Sequence, residues 1–195
     1  MYRSRRQTKI ERERARISRL ERGYPDHQPP HPIQNNTRYL ITAACFEHQH
    51  YLRNPSRRER LRSELVQECS NCEISLLAWC VLTNHYHLLV STHELKHVGQ
   101  ALGKAHGRTA HAWNTEDSSQ GRKIWYRYAD RAIRSDRHFW TCVNYVHFNP
   151  VKHGYVKRAL DWPHSSIHRY IKAGLVDQDW DMREGVDATI EYGEA

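Results

Sequence analysis

Short apolar segments bounded by polar residues recur along the middle of the chain and predict β-strands. Four such segments cover residues 39–46, 74–81, 85–90 and 124–133, and the last suits either a strand or a bent ribbon. Thr83-Asn84 is a turn signal between the second and third segments, so these two predict a β-hairpin.

Longer segments between the predicted strands place apolar residues at helical spacing. They predict helices over residues 56–70, 94–113 and 136–149, with a loop at 114–122. Ser135 is a suitable N-cap for the last helix, and Pro150 is expected to end it. The order β-α-β-β-α-β followed by a helix is that of a ferredoxin-like α/β (α+β) sandwich, an antiparallel sheet with helices on one face.

The distribution of charge divides the chain of 195 residues into three parts. The formal net charge is +8, but residues 175–195 carry −6, which leaves +14 for the rest. Residues 1–36 combine nine basic residues with four prolines. We expect a basic N-terminal arm at 1–36, one domain at 37–174 and an acidic tail at 175–195. A body of this charge should attract polyanions such as DNA.

Apolar runs and cysteines exclude other classes of protein. No apolar run approaches the roughly 18 residues of a membrane span, so we expect a cytoplasmic, nucleoid-associated protein with no membrane partner. Five cysteines, an odd number, do not suggest a disulfide framework. Cys69 and Cys72 form a CxxC pair, but a second ligand pair at zinc-finger spacing is absent, which disfavours structural zinc.

Two pairs of polar residues carry the candidate chemistry. His85 and His87 begin the third predicted strand, and alternate strand residues point to the same face. Tyr145 and Asn149 are four residues apart and share one face of the last predicted helix. Two imidazoles, an amide and a phenol can hold a divalent metal and supply a nucleophile for breaking a phosphodiester bond. The alternative is that His85 and His87 are ordinary strand residues that bind no metal, because a chain with 15 histidines can contain such a pair by chance.

These pairs lie in longer motifs that resemble those of the single-tyrosine HUH (histidine–hydrophobic–histidine) transposases, and especially of the REP-associated tyrosine transposases of bacteria. The motifs are Trp79-Cys80-Val81-Leu82-Thr83-Asn84-His85-Tyr86-His87-Leu88-Leu89-Val90, Ile124-Trp125, Ala132-Ile133-Arg134, Asn144-Tyr145-Val146-His147-Phe148-Asn149-Pro150-Val151-Lys152-His153-Gly154-Tyr155-Val156 and Asp161-Trp162-Pro163-His164-Ser165-Ser166. They follow the family order over about residues 37–172, with Tyr86 as the central residue of the HUH motif.

The resemblance implies a mechanism and a substrate. His85 and His87 would bind Mg²⁺ or Mn²⁺, with Asn149 as the third protein ligand. Tyr145 would attack the scissile phosphate of single-stranded DNA, which leaves a 5′-phosphotyrosine link and a free 3′-OH. The substrate would be hairpins of the repetitive extragenic palindrome (REP) type, and the protein would be a monomer or a homodimer. Two histidine ligands favour Mn²⁺ over Mg²⁺.

Other residues and functions stay open. Tyr155, Tyr126 and Tyr128 are alternative nucleophiles, although Tyr155 lacks an amide at i+4 and the other two are expected to pack or to stack on bases. By helical geometry His147 points away from Tyr145, and we interpret it as a DNA contact or a surface residue. Candidate DNA contacts are Arg3, Arg5, Arg6, Arg127, Arg134, Lys152 and His153. The alternative functions are a non-catalytic hairpin-binding protein on the same fold and a hydrolase that uses metal-bound water.

Overall fold

The computed structural model of the protein describes residues 38–176. The predicted arm at 1–36 and most of the predicted acidic tail lie outside the described residues, and so do Arg3, Arg5 and Arg6. The predicted domain boundaries therefore stay predictions.

Within the described residues, four strands form one antiparallel sheet. They are β1 Arg38–Ala44, β2 Ser75–Val81, β3 His85–Ser91 and β4 Ala129–Ala132, in the spatial order β2-β3-β1-β4. The register of β1 with β3 pairs Thr42 with His87 and Ala44 with His85. This order of antiparallel strands confirms the predicted ferredoxin-like sandwich.

The same part of the chain forms four α-helices, α1 Pro55–Asn71, α2 Leu95–Glu116, α3 Asp136–Lys152 and α4 Ile167–Lys172. The Asn54 side chain caps α1 by accepting from the Ser56 N–H. The Ser135 side chain caps α3, as predicted, by accepting from the His138 N–H. No helix in this part of the chain is long and apolar enough to cross a membrane.

The helices occupy both faces of the sheet. One face of β3 contributes Tyr86, Leu88 and Val90 to a core that also contains apolar residues of α1 and α2. His85 and His87 alternate with these residues and therefore point to the other face, which α3 covers. The prediction of helices on one face thus describes α1 and α2, whereas α3 encloses the histidines from the opposite side.

Tyr86, the central residue of the HUH motif, is a buried polar residue with a satisfied hydroxyl. Its ring is fully buried, and its hydroxyl pairs with His106 Nε2 at 2.7 Å. The His106 ring stacks on Trp125 with the ring centroids 4.3 Å apart. Burial lowers the pKa of His106 to about 4, so its ring stays neutral at physiological pH. A neutral partner explains how a tyrosine fits an apolar position.

Helix α3 does not end at Pro150 as predicted. It continues to Lys152, and the last turn closes where the Tyr155 N–H donates to the Pro150 carbonyl at 2.9 Å. Proline lacks a backbone N–H and its ring crowds the carbonyl four residues earlier, but so close to the helix end this removes a single intrahelical bond, and the helix continues for two more residues. Gly154 has φ +70°, a left-handed conformation that glycine adopts readily and that commonly ends helices.

One further helix boundary differs from the prediction, and the choice that the sequence left open for residues 124–133 is decided. Helix α2 continues to Glu116, into the predicted loop, and the buried Asn114 amide in its last turn donates to the Arg122 carbonyl at 2.8 Å. Residues 124–133 form the bent ribbon rather than one strand: Trp125 makes an isolated bridge with Cys45, and regular pairing resumes only in β4.

The segment that precedes α4 covers the outer edge of β2. The Val81 N–H donates to the His164 carbonyl, and the Ser166 N–H donates to the Trp79 carbonyl, both at 2.9 Å. Trp162 is buried and donates from its indole nitrogen to the Val81 carbonyl at 3.0 Å. These bonds satisfy backbone groups that an open edge strand would leave exposed.

Candidate active site

The three residues predicted to bind a metal lie together between β3 and α3. His85 Nε2 lies 3.2 Å from Asn149 Oδ1, and the rings of His85 and His87 meet edge to face with centroids 5.1 Å apart. All three side chains are buried, with exposed fractions of 7% for His85 and 0% for the other two. Strand alternation and helical spacing therefore bring together residues that are 64 positions apart in the sequence.

Neighbouring polar groups orient both imidazoles. His85 Nδ1 pairs with Asn84 Oδ1 at 2.8 Å, and His87 Nδ1 pairs with Thr42 Oγ1 at 2.9 Å. An amide oxygen only accepts, so His85 Nδ1 carries the donated hydrogen and Nε2 keeps its lone pair in the neutral ring. That lone pair faces the Asn149 carbonyl oxygen, which is also electron-rich.

This arrangement fits a divalent cation. Two neighbouring ligands of an octahedral cation with bonds of about 2.1 Å lie about 3 Å apart, close to the 3.2 Å between His85 Nε2 and Asn149 Oδ1. Among residues 38–176 no group of three or more His, Cys, Asp or Glu side chains is placed to hold a metal. The third protein donor beside His85 and His87 would therefore be the Asn149 amide.

Tyr145 lies directly beside this cluster. Its ring centroid is 5.1 Å from that of His87, and the Tyr145 side chain is only 3% exposed. The Lys152 ammonium lies 5.1 Å from the centroid of the Tyr145 ring. A phenol, two imidazoles, an amide and a lysine ammonium thus lie close together at this site.

The candidate DNA contacts divide into two groups. Lys152 and His153 are exposed at the end of α3 and border the site, and the His153 ring lies 4.9 Å from that of His85. Arg127 and Arg134 are exposed on either side of β4. Both groups are accessible from solvent, which contact with DNA requires.

His147 is not a surface residue, so its interpretation as a DNA contact is wrong. It is fully buried on the side of α3 that faces away from Tyr145, and its Nε2 pairs with Ser166 Oγ at 2.8 Å. Burial, and secondarily the charge of Arg169, lowers the pKa of His147 to about 3. It joins α3 to the segment that covers β2.

The other tyrosines considered as nucleophiles have different surroundings. The Tyr155 hydroxyl pairs with Thr83 Oγ1 at 2.5 Å, and Thr83 in turn pairs with His50 Nδ1 at 2.7 Å. The Tyr128 hydroxyl lies against Gly99 of α2, 3.1 Å from where a Cβ would stand. Tyr126 packs its ring against Phe46, with centroids 4.8 Å apart.

Two residues that orient the histidines escaped the interpretation of the sequence. Thr42 reaches His87 only because β1 pairs with β3 in this register, and pairing between distant strands cannot be obtained from residue spacing. From the sequence, Asn84 is interpreted only as part of a turn signal, but its side chain directly precedes His85 and pairs with the His85 ring.

A ferredoxin-like sheet that presents two histidines to a helix-borne tyrosine defines the HUH class of proteins. Comparison with known proteins is more specific. Residues 34–148 match the family model described as "Transposase IS200 like". The chain belongs to the IS200-like transposase family, in the group of the REP-associated tyrosine transposases.

Named relatives and a solved structure agree with this membership. The REP-associated tyrosine transposase of Escherichia coli K12 is 31% identical over 123 residues, which are 63% of this chain and 72% of the relative. The Haemophilus influenzae protein named "Putative REP-associated tyrosine transposase" is 30% identical over 129 residues, 61% of this chain and 73% of the relative. A structure of a REP-associated tyrosine transposase bound to a REP hairpin superposes with a TM-score of 0.69 at 23% identity, covering 86% of this chain and 97% of the other. That superposition confirms the fold.

Proposed function

We propose that this transposase is a metal-dependent single-stranded DNA endonuclease that cuts and rejoins DNA at REP-like hairpins through a 5′-phosphotyrosine intermediate. The observation that carries the proposal is the position of Tyr145, 5.1 Å from the ring of His87 and on the same side of the sheet as the His85–Asn149 pair. The names of the relatives and the hairpin bound to the solved neighbour support the choice of DNA partner.

The chemistry is an exchange of phosphate esters. The Tyr145 oxygen attacks phosphorus and gives up its proton, the bond from phosphorus to the 3′ oxygen breaks, and that oxygen takes up a proton as it leaves. The DNA 5′ end stays on the tyrosine. A free 3′-OH can reverse the step, because the phenolate is a good leaving group and one ester replaces another. No external energy source is needed.

The surrounding residues have separate tasks in this scheme. His85, His87 and Asn149 would hold Mg²⁺ or Mn²⁺, which polarises the phosphoryl oxygen and stabilises the charge that develops in the transition state. Asn84 and Thr42 fix the two imidazole rings. Lys152 places a positive charge where the phosphate must approach Tyr145.

The test is the substitution Tyr145→Phe, which removes one oxygen and keeps the ring. With Mn²⁺ and a labelled single-stranded hairpin from the DNA that flanks the gene, we expect cleavage and the covalent adduct to fall by about a thousandfold or more. Hairpin binding should stay close to that of the unchanged protein. Adducts are measured on a denaturing gel.

The matched control is Tyr128→Phe, which removes the hydroxyl that packs against α2 and should leave the adduct intact. Full adduct formation by Tyr145→Phe would exclude Tyr145 as the nucleophile. Cleavage by the unchanged protein without an adduct would instead indicate hydrolysis by metal-bound water. Tight hairpin binding without any cleavage in Mn²⁺ would indicate a non-catalytic binder.

A further inference from the structure

Three aromatic rings and a lysine gather at the end of β1 that adjoins the candidate active site. The ring of Phe46 lies 4.8 Å from that of Tyr126, and the ring of His48 lies 6.3 Å from that of Tyr126. Lys123 Nζ stands 4.6 Å from the Phe46 centroid and 5.5 Å from the Tyr126 centroid. The three aromatic residues are half-buried and Lys123 is exposed. We refer to Phe46, His48, Lys123 and Tyr126 as the aromatic cluster.

The aromatic cluster is joined to the histidine pair through one amide. Asn84 Nδ2 donates to the His48 carbonyl at 3.3 Å, while Asn84 Oδ1 pairs with His85 Nδ1 at 2.8 Å. Backbone bonds reinforce the link, because the Cys45 N–H donates to the Asn84 carbonyl and the Phe46 N–H to the Ile124 carbonyl, both at 2.7 Å. A ligand held by the cluster would therefore lie close to Asn84, the residue whose side chain orients His85.

The backbone of the short turn that carries Phe46 and His48 is held in an uncommon conformation. Glu47 and His48 have φ of +53° and +52°, in the left-handed region that residues with a Cβ rarely adopt. This conformation belongs to the short turn Phe46–His48, which directs the His48 carbonyl to Asn84. Strained residues of this kind tend to occur at functional sites, where the surrounding structure maintains them.

We propose that the aromatic cluster is a subsite for an unpaired base of single-stranded DNA close to the scissile phosphate. A base that displaces the Lys123 ammonium from the Phe46 and Tyr126 rings would stack on these rings, and Lys123 would then supply a positive charge for the neighbouring backbone phosphate. This combination is the usual one for binding single strands without reading their sequence. The proposal deepens the proposed function, on which the identity of the DNA strand rests.

Tyr126 and Tyr128 show why the cluster differs from ordinary packing. Tyr128 places its hydroxyl against α2, where burial raises its pKa, so it belongs to the packing of the helix layer. Tyr126 instead lies between Phe46 and His48, within reach of Lys123, and its N–H donates to the Ala44 carbonyl at 3.0 Å. The bent ribbon thus gives these two tyrosines different neighbours.

The experiment compares binding of hairpin oligonucleotides in which one unpaired flanking nucleotide at a time is replaced by an abasic residue. The Tyr145→Phe protein is used without metal, so that affinity is measured independently of cleavage. We expect one position, or two adjacent ones, at which loss of the base weakens binding about tenfold. When Phe46→Ala or Tyr126→Ala is added, removing the base at those positions should no longer weaken binding. Abasic residues at other positions should weaken binding as much as before. Tyr126→Phe, which keeps the ring, should preserve the original pattern.

The matched control is Phe139→Ala, because Phe139 also has a cation over its ring, with Arg38 5.0 Å from the centroid, but lies in the first turn of α3. It should leave the abasic pattern unchanged. If Phe46→Ala fails to fold, Phe46→Leu keeps an apolar side chain without an aromatic face. The subsite is refuted if the variants of the aromatic cluster lose affinity at the same abasic positions as the parent protein. It is also refuted if no abasic position weakens binding.

The two proposals fail separately. If the protein with intact Tyr145 forms adducts, but the Phe46 and Tyr126 variants lose affinity at the same abasic positions as before, the proposed function is supported and the subsite is refuted. A protein that forms no adduct, while the same variants no longer lose affinity at these positions, refutes the chemistry and supports the subsite.

Discussion

The smallest structural units that matter at the candidate site are the groups behind the two histidines. His87 is fully buried, and its Nδ1 pairs with Thr42 on the neighbouring strand. This partner fixes the ring so that Nε2 is the nitrogen that can face a metal. The geometry of the site therefore depends on a residue with no catalytic chemistry of its own.

We predict that Thr42→Val weakens Mn²⁺ binding by about 10- to 100-fold, the usual effect of removing a hydrogen-bond partner of a metal-binding histidine. Valine keeps the shape and the strand preference of threonine but cannot pair with His87. Titration calorimetry with Mn²⁺ measures the change. Thr42→Ser keeps the hydroxyl and should bind nearly as well as the unchanged protein, and His87→Ala sets the value for loss of a ligand. Equal affinities for Thr42→Val and Thr42→Ser would contradict the proposed role.

Buried histidines predict acid sensitivity of the fold. In the folded protein the pKa of His106 is about 4 and that of His147 about 3, both below the ordinary value of 6.5. Above about pH 6.5 both rings are neutral in the folded and the unfolded chain, so their full contribution to stability is present. Below that pH the unfolded chain takes up protons that the folded protein does not, so stability is lost until the folded pKa is reached.

We therefore expect the free energy of unfolding, measured by denaturant titration, to fall between about pH 6.5 and pH 4. His147→Gln should reduce this pH dependence, because glutamine can still pair with Ser166 but does not titrate. The control is His111→Gln at an exposed position of α2. A pH dependence identical in the two variants would show that His147 is not responsible.

At the scale of elements, α3 supplies both the nucleophile candidate and the amide. Tyr145 and Asn149 share the face that packs on the histidines, while His147, also buried, attaches the opposite face to Ser166. The left-handed Gly154 ends the helix, which leaves Lys152 and His153 at the border of the site. The position of the helix end is therefore part of the construction of the site.

We predict that Gly154→Ala destabilises the protein by about 1 kcal/mol, because alanine is strained at positive φ. No atom lies within 4 Å of the added Cβ, so the cost is one of backbone conformation alone. The matched control is Gly103→Ala in α2, where the Cβ also meets nothing within 4 Å. There alanine should stabilise by about 0.5–1 kcal/mol. Thermal unfolding of both variants checks the opposite signs.

Local patterns predicted most elements because each has a buried face with its own period. The strand of His85 and His87 and the helix of Tyr145 and Asn149 follow from alternation and from four-residue spacing. The end of α3 could not be predicted in the same way. Pro150 suggests a helix end because it lacks an N–H, but the last turn closes at Gly154 and its neighbours. Thr42, the Ser166 partner of His147 and the aromatic cluster depend on contacts between distant segments, which spacing does not encode.

At the scale of the whole molecule, charge predicts how DNA is held. Residues 1–174 carry a net +14, and nine basic residues against four acidic ones lie in residues 1–36, outside the described structure. Binding should release counterions, so the logarithm of affinity should fall linearly with the logarithm of salt concentration, by about 0.7 per phosphate contacted on a single strand.

Deletion of residues 1–36 should flatten this slope, because it removes the contacts that candidates such as Arg3, Arg5 and Arg6 would make. Fluorescence anisotropy with a labelled hairpin, at several salt concentrations, measures the slope for both proteins. Lys152→Gln serves as a comparison that removes one charge beside the site. An unchanged slope after the deletion would mean that the segment does not touch DNA.

The four-residue interval between Tyr145 and Asn149 also has a consequence for how such a sequence can diverge. One inserted residue would turn the amide about 100° around the helix axis and carry it away from His85, and one deleted residue would do the same in the opposite sense. A substitution can change the chemistry of either residue by small steps. An insertion or deletion between them changes the position of the amide by a large step at once. Among descendants of this sequence, insertions and deletions should therefore collect in surface segments such as residues 118–121, while the interval stays fixed for as long as the enzyme works.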